Sequence, residues 1–248
     1  MVVKTGVVGL DKLLDGGYPD NSIILISGGT GTGKTILSLQ FLLQGFLQKE
    51  RGMFITFEQS KDKIIDQCAR FGWDFEKYEK QNLFRIVTME DIGIANILTQ
   101  MKSNIEEFKP QRMVVDSITF MSLSAYSAKR LIDLDRTTMV ELYEASRENS
   151  VSSEFDGLIV RKLLIDFVKI LQKRKINTLL TSEIPRESVW LSRDTFSEYA
   201  CDGVLLLKSV AMGTDLHRAI EIVKMRNTKM KGGVYGFDFQ KNGIKVNI

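Results

Sequence analysis

A glycine-rich loop that ends in a lysine and a threonine occupies residues 28–35. It reads Gly-Gly-Thr-Gly-Thr-Gly-Lys-Thr and directly follows an apolar run at residues 23–26. After such a strand, glycines let consecutive backbone N–H groups point inward at a phosphate, and the lysine reaches the outer phosphate oxygens. The sequence therefore predicts a phosphate-binding loop (P-loop), whose nucleotide-binding residues are Gly29, Thr30, Gly31, Thr32, Gly33, Lys34 and Thr35.

A second chemical feature is an apolar strand that ends in an acid, Met-Val-Val-Asp at residues 113–116. Acids at strand ends are common, so this signal gains its meaning from the P-loop. In P-loop proteins such an acid holds the water shell of a magnesium ion that the P-loop hydroxyl also binds. We therefore predict a nucleotide bound with Mg²⁺, which Thr35 contacts directly and Asp116 contacts through water.

Glu58 is a candidate for activating water. It ends the apolar segment at residues 54–57 and precedes Gln59. If this strand lies beside the first one, the Glu58 carboxylate can reach a water molecule in line with the γ-phosphate and polarise it. The alternative is an exposed glutamate at an ordinary strand-to-helix turn.

Two cations near the carboxyl end, Lys224 and Arg226, alternate along a predicted strand and so share one side of it. Such a pair can stabilise charge on a γ-phosphate, either in its own subunit or in a neighbouring one. The pair could also simply face solvent. The chemistry of the residues alone leaves these three alternatives open.

Composition limits the class of protein. The chain has 248 residues, 44% of them hydrophobic and 26% charged, with a net charge of +3. This is typical of a globular domain with a large core, and the charge is too small to indicate nucleic-acid binding by itself. Cys68 and Cys201 are far apart, which argues against a disulfide framework or a zinc site. Without a signal peptide or a long apolar run, we expect a cytoplasmic protein with no membrane insertion.

The elements that must position these residues alternate between short apolar runs and amphipathic ones, which predicts an α/β fold with a mostly parallel sheet. The predicted strands are 23–27, 53–57, 83–87, 113–116 and 178–181, and the predicted helices are 34–48, 61–71, 92–108 and 158–172. Beyond residue 202, strands at 203–208, 217–224, 234–238 and 244–246 follow one another without helices, which predicts an antiparallel extension of the sheet. We find no repeat or linker, so residues 1–248 are predicted to form one domain.

Residues 121–156 interrupt this alternation and are too long for an ordinary loop. A helical stripe at Leu131, Leu134, Thr138, Leu142 and Ala145 is followed by a polar stretch. We predict a helical, mobile insertion with a mixed-charge surface.

The order of motifs along the chain resembles the KaiC-like branch of the RecA superfamily of ATPases, in its single-domain archaeal form. The segments that carry the resemblance are 9–19 (GLDKLLDGGYP), 27–35 (SGGTGTGKT), 56–60 (TFEQS), 70–74 (RFGWD), 115–117 (VDS), 181–183 (TSE) and 224–228 (KMRNT). The resemblance extends over nearly the whole chain except about residues 126–156.

This resemblance implies a RecA-like three-layer core that hydrolyses ATP to ADP and phosphate. It also implies a homo-oligomer, a ring or a filament, with ATP held between subunits. Glu58 matches the first of two neighbouring acidic positions that activate water in the family, and Asp116 matches the Walker B acid. Lys224 and Arg226 match residues that contact the γ-phosphate of the adjoining subunit.

The chain departs from the family pattern at several positions. Gln59 stands at the second acidic position, Asn227 replaces a usual glycine, and Met230 replaces a frequent histidine. Loss of the second carboxylate predicts slow hydrolysis. It also leaves open a protein that uses ATP to assemble or signal without meaningful turnover.

A third hypothesis, binding of single-stranded DNA, concerns the loop after the predicted strand 178–181. Recombinases of the superfamily carry DNA on such loops, and here Arg186, Trp190 and Arg193 could combine phosphate contacts with base stacking on single-stranded DNA. Alternatively, this loop lines a subunit interface.

Overall fold

The computed structural model describes residues 1–89, 94–121, 152–185, 188–212 and 215–248. Its strands are β1 Val2–Val3, β2 Tyr18–Pro19, β3 Ile23–Gly28, β4 Gly52–Thr56, β5 Phe84–Thr88, β6 Arg112–Asp116, β7 Asn177–Glu183, β8 Gly203–Met212, β9 Asp215–Met225, β10 Gly233–Gln240 and β11 Gly243–Val246. Its helices are α1 Leu10–Leu13, α2 Lys34–Leu47, α3 Lys61–Arg70, α4 Phe75–Lys80, α5 Ile94–Phe108, α6 Ser152–Arg174 and α7 Ser197–Ala200.

Nine of these strands form one sheet in the order β11-β10-β9-β8-β3-β7-β6-β4-β5. From β8 to β5 all neighbours are parallel, and from β8 to β11 all are antiparallel. The predicted α/β class, with a mostly parallel sheet and a carboxyl-terminal antiparallel extension, is confirmed. Because the sheet takes strands from both ends of the chain, it supports the proposal of one domain over residues 1–248.

Both faces of the central strands are buried, which explains why their sequences are continuously apolar. Side chains alternate along a strand, so Ile24 and Ile26 join a core that includes α2 residues, while Ile23 and Leu25 join a second core that includes residues of α5 and α6. The sheet therefore lies between two helical layers, and β3, which ends in the P-loop, is covered on both sides.

The structure differs from the sequence prediction in detail. Helix α6 begins at Ser152 rather than at residue 158, and α4 was not predicted. Asp74 caps α4, because its Oδ1 accepts a hydrogen bond of 2.9 Å from the backbone N–H of Lys77. Most of the predicted insertion at 121–156 lies outside the described residues. Among the helices of the described ranges, none is long and apolar enough to cross a membrane.

Candidate active site

The P-loop follows β3, which lies between β7 and β8 in the middle of the sheet. Parallel α/β sheets bind ligands outside the carboxyl ends of their strands. Gly31 and Gly33 have φ angles of 74° and 105°, which a residue with a side chain rarely adopts. A Cβ on Gly33 would also lie 2.8 Å from the Phe239 ring. The loop conformation therefore depends on the glycines that the sequence singled out.

Lys34 is buried, and its ammonium group is held inside the loop. Its Nζ donates hydrogen bonds to the carbonyl oxygens of Gly28 (3.0 Å) and Gly29 (2.9 Å) and lies 3.4 Å from Oε1 of Glu183. These oxygens satisfy the cation in the way that phosphate oxygens would.

The structure brings Thr35 and Asp116 together. The Thr35 hydroxyl donates to Oδ2 of Asp116 at 2.8 Å, and the Thr181 hydroxyl donates to the other carboxylate oxygen. Burial raises the pKa of Asp116, and the Thr181 and Thr35 hydroxyls oppose that shift. A hydroxyl and a carboxylate are the hard oxygen donors that Mg²⁺ prefers, so this pair fits the ion.

Glu58 reaches the site by a different route from the expected one. The condition that its strand lies beside β3 is not met, because β6 and β7 separate β4 from β3. Thr56 pairs with Asp116 in the sheet, and two residues later Oε1 of Glu58 accepts a 2.7 Å hydrogen bond from the Ser117 hydroxyl. The carboxylate thus approaches the P-loop past the end of β6.

The environment of Glu58 suits a proton acceptor. Partial burial raises the pKa of its carboxyl most, and the Ser117 hydrogen bond lowers it. Asp116 and Glu183 raise this pKa further by charge repulsion, while Lys34 lowers it. A carboxylate with a raised pKa is a better base than an ordinary glutamate.

The P-loop, Glu58 and Asp116 surround one cavity of about 330 Å³. Its lining residues are Thr30, Gly31, Gly33, Lys34, Thr35, Ile36, Glu58, Gln59, Asp116, Glu183 and Phe239. Three carboxylates and the Lys34 ammonium share this lining with two apolar side chains, Ile36 and Phe239. A lining of this kind can bind a polyphosphate together with a less polar group.

Sequence reasoning gave no role to Glu183. Its carboxylate accepts a hydrogen bond from the Thr30 hydroxyl (3.3 Å) and pairs with Lys34, while its backbone N–H donates to Oγ1 of Thr119 (2.9 Å). The available signal was an acid at the end of an apolar strand, the same pattern as Asp116. Recognising it required knowing that β7 lies next to β3.

Lys224 and Arg226 lie near the amino-terminal ends of the parallel strands, whereas the P-loop follows the carboxyl-terminal end of β3. Met225, between them, pairs with Gly203, which pairs with Ile24, four residues before Gly28. At a rise of about 3.3 Å per residue this is roughly 13 Å along the strand, before the two intervening strand spacings are added. The structure therefore excludes contact with the γ-phosphate of the same subunit and leaves the neighbour contact and the solvent-facing alternative.

The two cations are held by local partners. Nζ of Lys224 donates to the carbonyl oxygens of Glu198 (3.0 Å) and Cys201 (2.6 Å), and Arg226 lies 3.7 Å from an Asp202 oxygen. Desolvation, followed by the nearby Arg226 charge, lowers the pKa of Lys224. Arg226 remains about half exposed, at 52%.

The residues predicted for DNA contact are partly described. Trp190 is 49% exposed, and Arg193 on the same loop is also exposed. The backbone N–H of Arg193 donates a 3.3 Å hydrogen bond to the Ser182 hydroxyl oxygen. Arg186 lies outside the described residues. The structure thus brings an aromatic ring and a cation to one surface loop.

A P-loop on the central strand of a parallel sheet, with an acid paired to its threonine, defines a P-loop nucleotide-binding protein. The family model described as "ATPase: KaiC" matches residues 3–155 and 149–248. The chain belongs to the KaiC family of ATPases.

Individual relatives agree with this assignment. The chain is 31% identical over 248 residues to a UPF0273 protein of Aeropyrum pernix, with 98% of this chain and 92% of that protein covered. It is 29% identical to the circadian clock oscillator protein KaiC of Prochlorococcus marinus, covering 98% of this chain but 44% of that protein. The chain thus corresponds to less than half of the clock protein.

A solved structure shows the same fold over the whole length. The crystal structure of a KaiC-like protein from Pyrococcus horikoshii superposes with a TM-score of 0.80 at 31% sequence identity. The superposition covers 100% of this chain and 99% of that one, which confirms the single-domain KaiC-like resemblance.

Proposed function

We propose that this protein binds Mg·ATP in the cavity at the end of β3 and hydrolyses it to ADP and phosphate. The observation that carries the proposal is the convergence of Lys34, the Thr35–Asp116 pair and Glu58 on one cavity. Thr35 and Asp116 would hold Mg²⁺, which neutralises charge on the outer phosphates when bound.

In the proposed hydrolysis, the P-loop and Lys34 bind the phosphates and Glu58 activates water. Backbone N–H groups of the P-loop hold the β-phosphate, and Lys34 exchanges its carbonyl and Glu183 partners for phosphate oxygens. Glu58, oriented by Ser117, accepts a proton from water as the water oxygen attacks the γ-phosphorus. The bond from the γ-phosphorus to the bridging oxygen breaks, and ADP leaves with that oxygen.

The active form is proposed to be a homo-oligomer, a ring or a filament. In it Lys224 and Arg226 of one subunit contact the γ-phosphate held by the next. Their distance from their own P-loop and the exposure of Arg226 support this arrangement. We also propose a cytoplasmic location, because Cys68 and Cys201 are both buried free thiols and the cytosol keeps thiols reduced.

Two further candidates have a supporting observation each. Gln59 leaves one carboxylate, Glu58, at the water-activating position, which favours an ATP-dependent assembly or signalling switch without turnover. Trp190 and Arg193 share an exposed loop, which favours single-stranded DNA binding. The DNA proposal predicts salt-dependent quenching of Trp190 by an oligonucleotide in a Trp73→Phe background, and unchanged fluorescence would contradict it.

The first experiment measures phosphate release from Mg·ATP across a wide range of protein concentrations, with Lys34→Ala as the blank. A specific activity that rises with concentration is expected for a site shared between subunits. ATP binding without release above the blank would instead support the switch.

A further inference from the structure

The side chain of Gln59 is held in a defined orientation next to the water-activating glutamate. Its Oε1 accepts a 2.5 Å hydrogen bond from Nε2 of Gln67 on α3, and its backbone N–H donates to Oγ1 of Thr56 at 3.0 Å. Within the residues that the structure describes, the Gln59 amide nitrogen has no hydrogen-bond acceptor. Since Gln59 also lines the cavity, this fixed amide offers a donor to a ligand there.

The charge balance of the cavity favours a donor at this position. Its lining residues include three carboxylates, those of Glu58, Asp116 and Glu183, against the single ammonium of Lys34. A fourth carboxylate would add repulsion against a triphosphate, whereas an amide N–H donates to a phosphate oxygen. Asp116 and Glu58 mark the γ-phosphate end of the cavity, because Walker B acids and water-activating groups act there.

We infer that the Gln59 amide donates a hydrogen bond to the γ-phosphate of ATP and thereby sets the preference for ATP over ADP. Gln67 is the positioning residue, since its own amide occupies the Gln59 oxygen and leaves the Gln59 nitrogen available as a donor. The inference rests on the proposed function, and it gives Gln59 a role of its own rather than that of a missing acid.

The test uses methionine, which nearly matches glutamine in size but lacks the amide. Affinities for ADP and for adenylyl imidodiphosphate, an ATP analogue that is hydrolysed very slowly, are measured by calorimetry with Mg²⁺ present. The variants are Gln59→Met, Gln67→Met and the double variant, and Gln172→Met on the exposed face of α6 is the matched control. Thermal unfolding verifies that each variant is folded.

We expect Gln59→Met to weaken binding of the triphosphate analogue about tenfold, the loss typical of a hydrogen bond to a charged group, and to leave ADP affinity unchanged. Gln67→Met should act in the same direction in the wild-type background and have no effect when Gln59 is already methionine. Gln172→Met should match the wild type.

The outcomes separate the inference from the proposed function. Equal loss for both nucleotides, or no loss for either, would overturn the role of Gln59. A Gln67→Met effect that persists in the Gln59→Met background would overturn the positioning role. A wild-type protein that binds neither nucleotide would overturn the proposed function itself.

Discussion

Glu183 competes with ATP for Lys34, and this competition leads to a measurable prediction. The Glu183 carboxylate lies 3.4 Å from Nζ of Lys34, with Lys34 only 6% exposed and Glu183 32% exposed. Triphosphate binding must break this ion pair and bring phosphate charge close to the same carboxylate. Glu183→Gln removes both penalties but keeps an oxygen that can accept the Thr30 hydrogen bond.

The size of the effect follows from the partial exposure of the pair. An ion pair whose acid is about one-third exposed is worth about 1 kcal/mol, which corresponds to about a fivefold change in affinity. We therefore expect Glu183→Gln to bind Mg·ATP about fivefold more tightly in calorimetry at low salt. The gain should shrink as salt screens the charges. Glu107→Gln, an exposed glutamate paired with Arg85 on the outer surface, should change nothing and serves as the control.

The same variant has a second readout in the pH dependence of turnover. Glu183 raises the pKa of both Glu58 and Asp116 by charge repulsion. Because the Glu58 base works only when deprotonated, activity falls as pH drops through its raised pKa. Removal of the Glu183 charge lowers that pKa, so the acidic limb should move to lower pH. Weaker ATP binding in Glu183→Gln, or a limb displaced upward, would refute the reasoning.

Three further predictions test the rest of the site and its support. Glu58→Gln should retain ATP binding but lower single-turnover phosphate release by about 10²- to 10⁴-fold, the usual contribution of a general base; release at the wild-type rate would remove Glu58 from the mechanism. Arg226→Ala should also lose turnover, and mixing it with Lys34→Ala should restore part of it, since each variant supplies the half-site that the other lacks; full turnover by Arg226→Ala alone, or a mixture no more active than the two variants separately, would contradict the neighbour contact. Arg112 is buried, pairs with Glu50 and donates a hydrogen bond to the Phe41 carbonyl. Arg112→Met should therefore lower the free energy of unfolding, measured in denaturant, by about 3–5 kcal/mol, and should leave ATP affinity unchanged because Arg112 lies at the end of β6 away from Asp116. A loss below about 1 kcal/mol would show that the Arg112–Glu50 pair does not stabilise the fold.

Elements buried on both faces were the easiest to predict from the sequence. Strands β4 and β6 consist entirely of buried residues, so their apolar runs stand out and their bounds agree with the prediction to within a residue. Helix α4 was missed because its six residues carry four charges and only Phe75 is buried, too short a pattern to show a period. Its signal was local instead, the capping aspartate at position 74.

The P-loop and Asp116 were predictable because each is a local pattern at the end of its own strand. Glu183 and the Gln59–Gln67 contact were not, since both depend on which strands and helices are neighbours. Glu183 contacts Lys34 because β7 lies between β3 and β6 in the sheet, and no short segment of the sequence indicates that strand order. Glu58 lines the cavity although its strand does not lie beside β3, because the turn after β4 extends past β6 to Ser117.

The placement of Lys224 and Arg226 constrains any assembly that uses them. They lie near the amino-terminal end of the parallel strands, whereas the P-loop lies at the carboxyl-terminal end, so a contact between them joins two different surfaces of the chain. A contact of this kind is head-to-tail, and it repeats from one copy to the next until the rotation closes a ring or continues as a filament. A two-fold dimer pairs the same surface on both copies, so it makes this contact only if one self-complementary surface includes both ends of the parallel strands. The proposed arrangement therefore favours a ring or a filament, and a variant trapped as a two-fold dimer through another surface should bind ATP without turnover, as phosphate release on sized fractions would show.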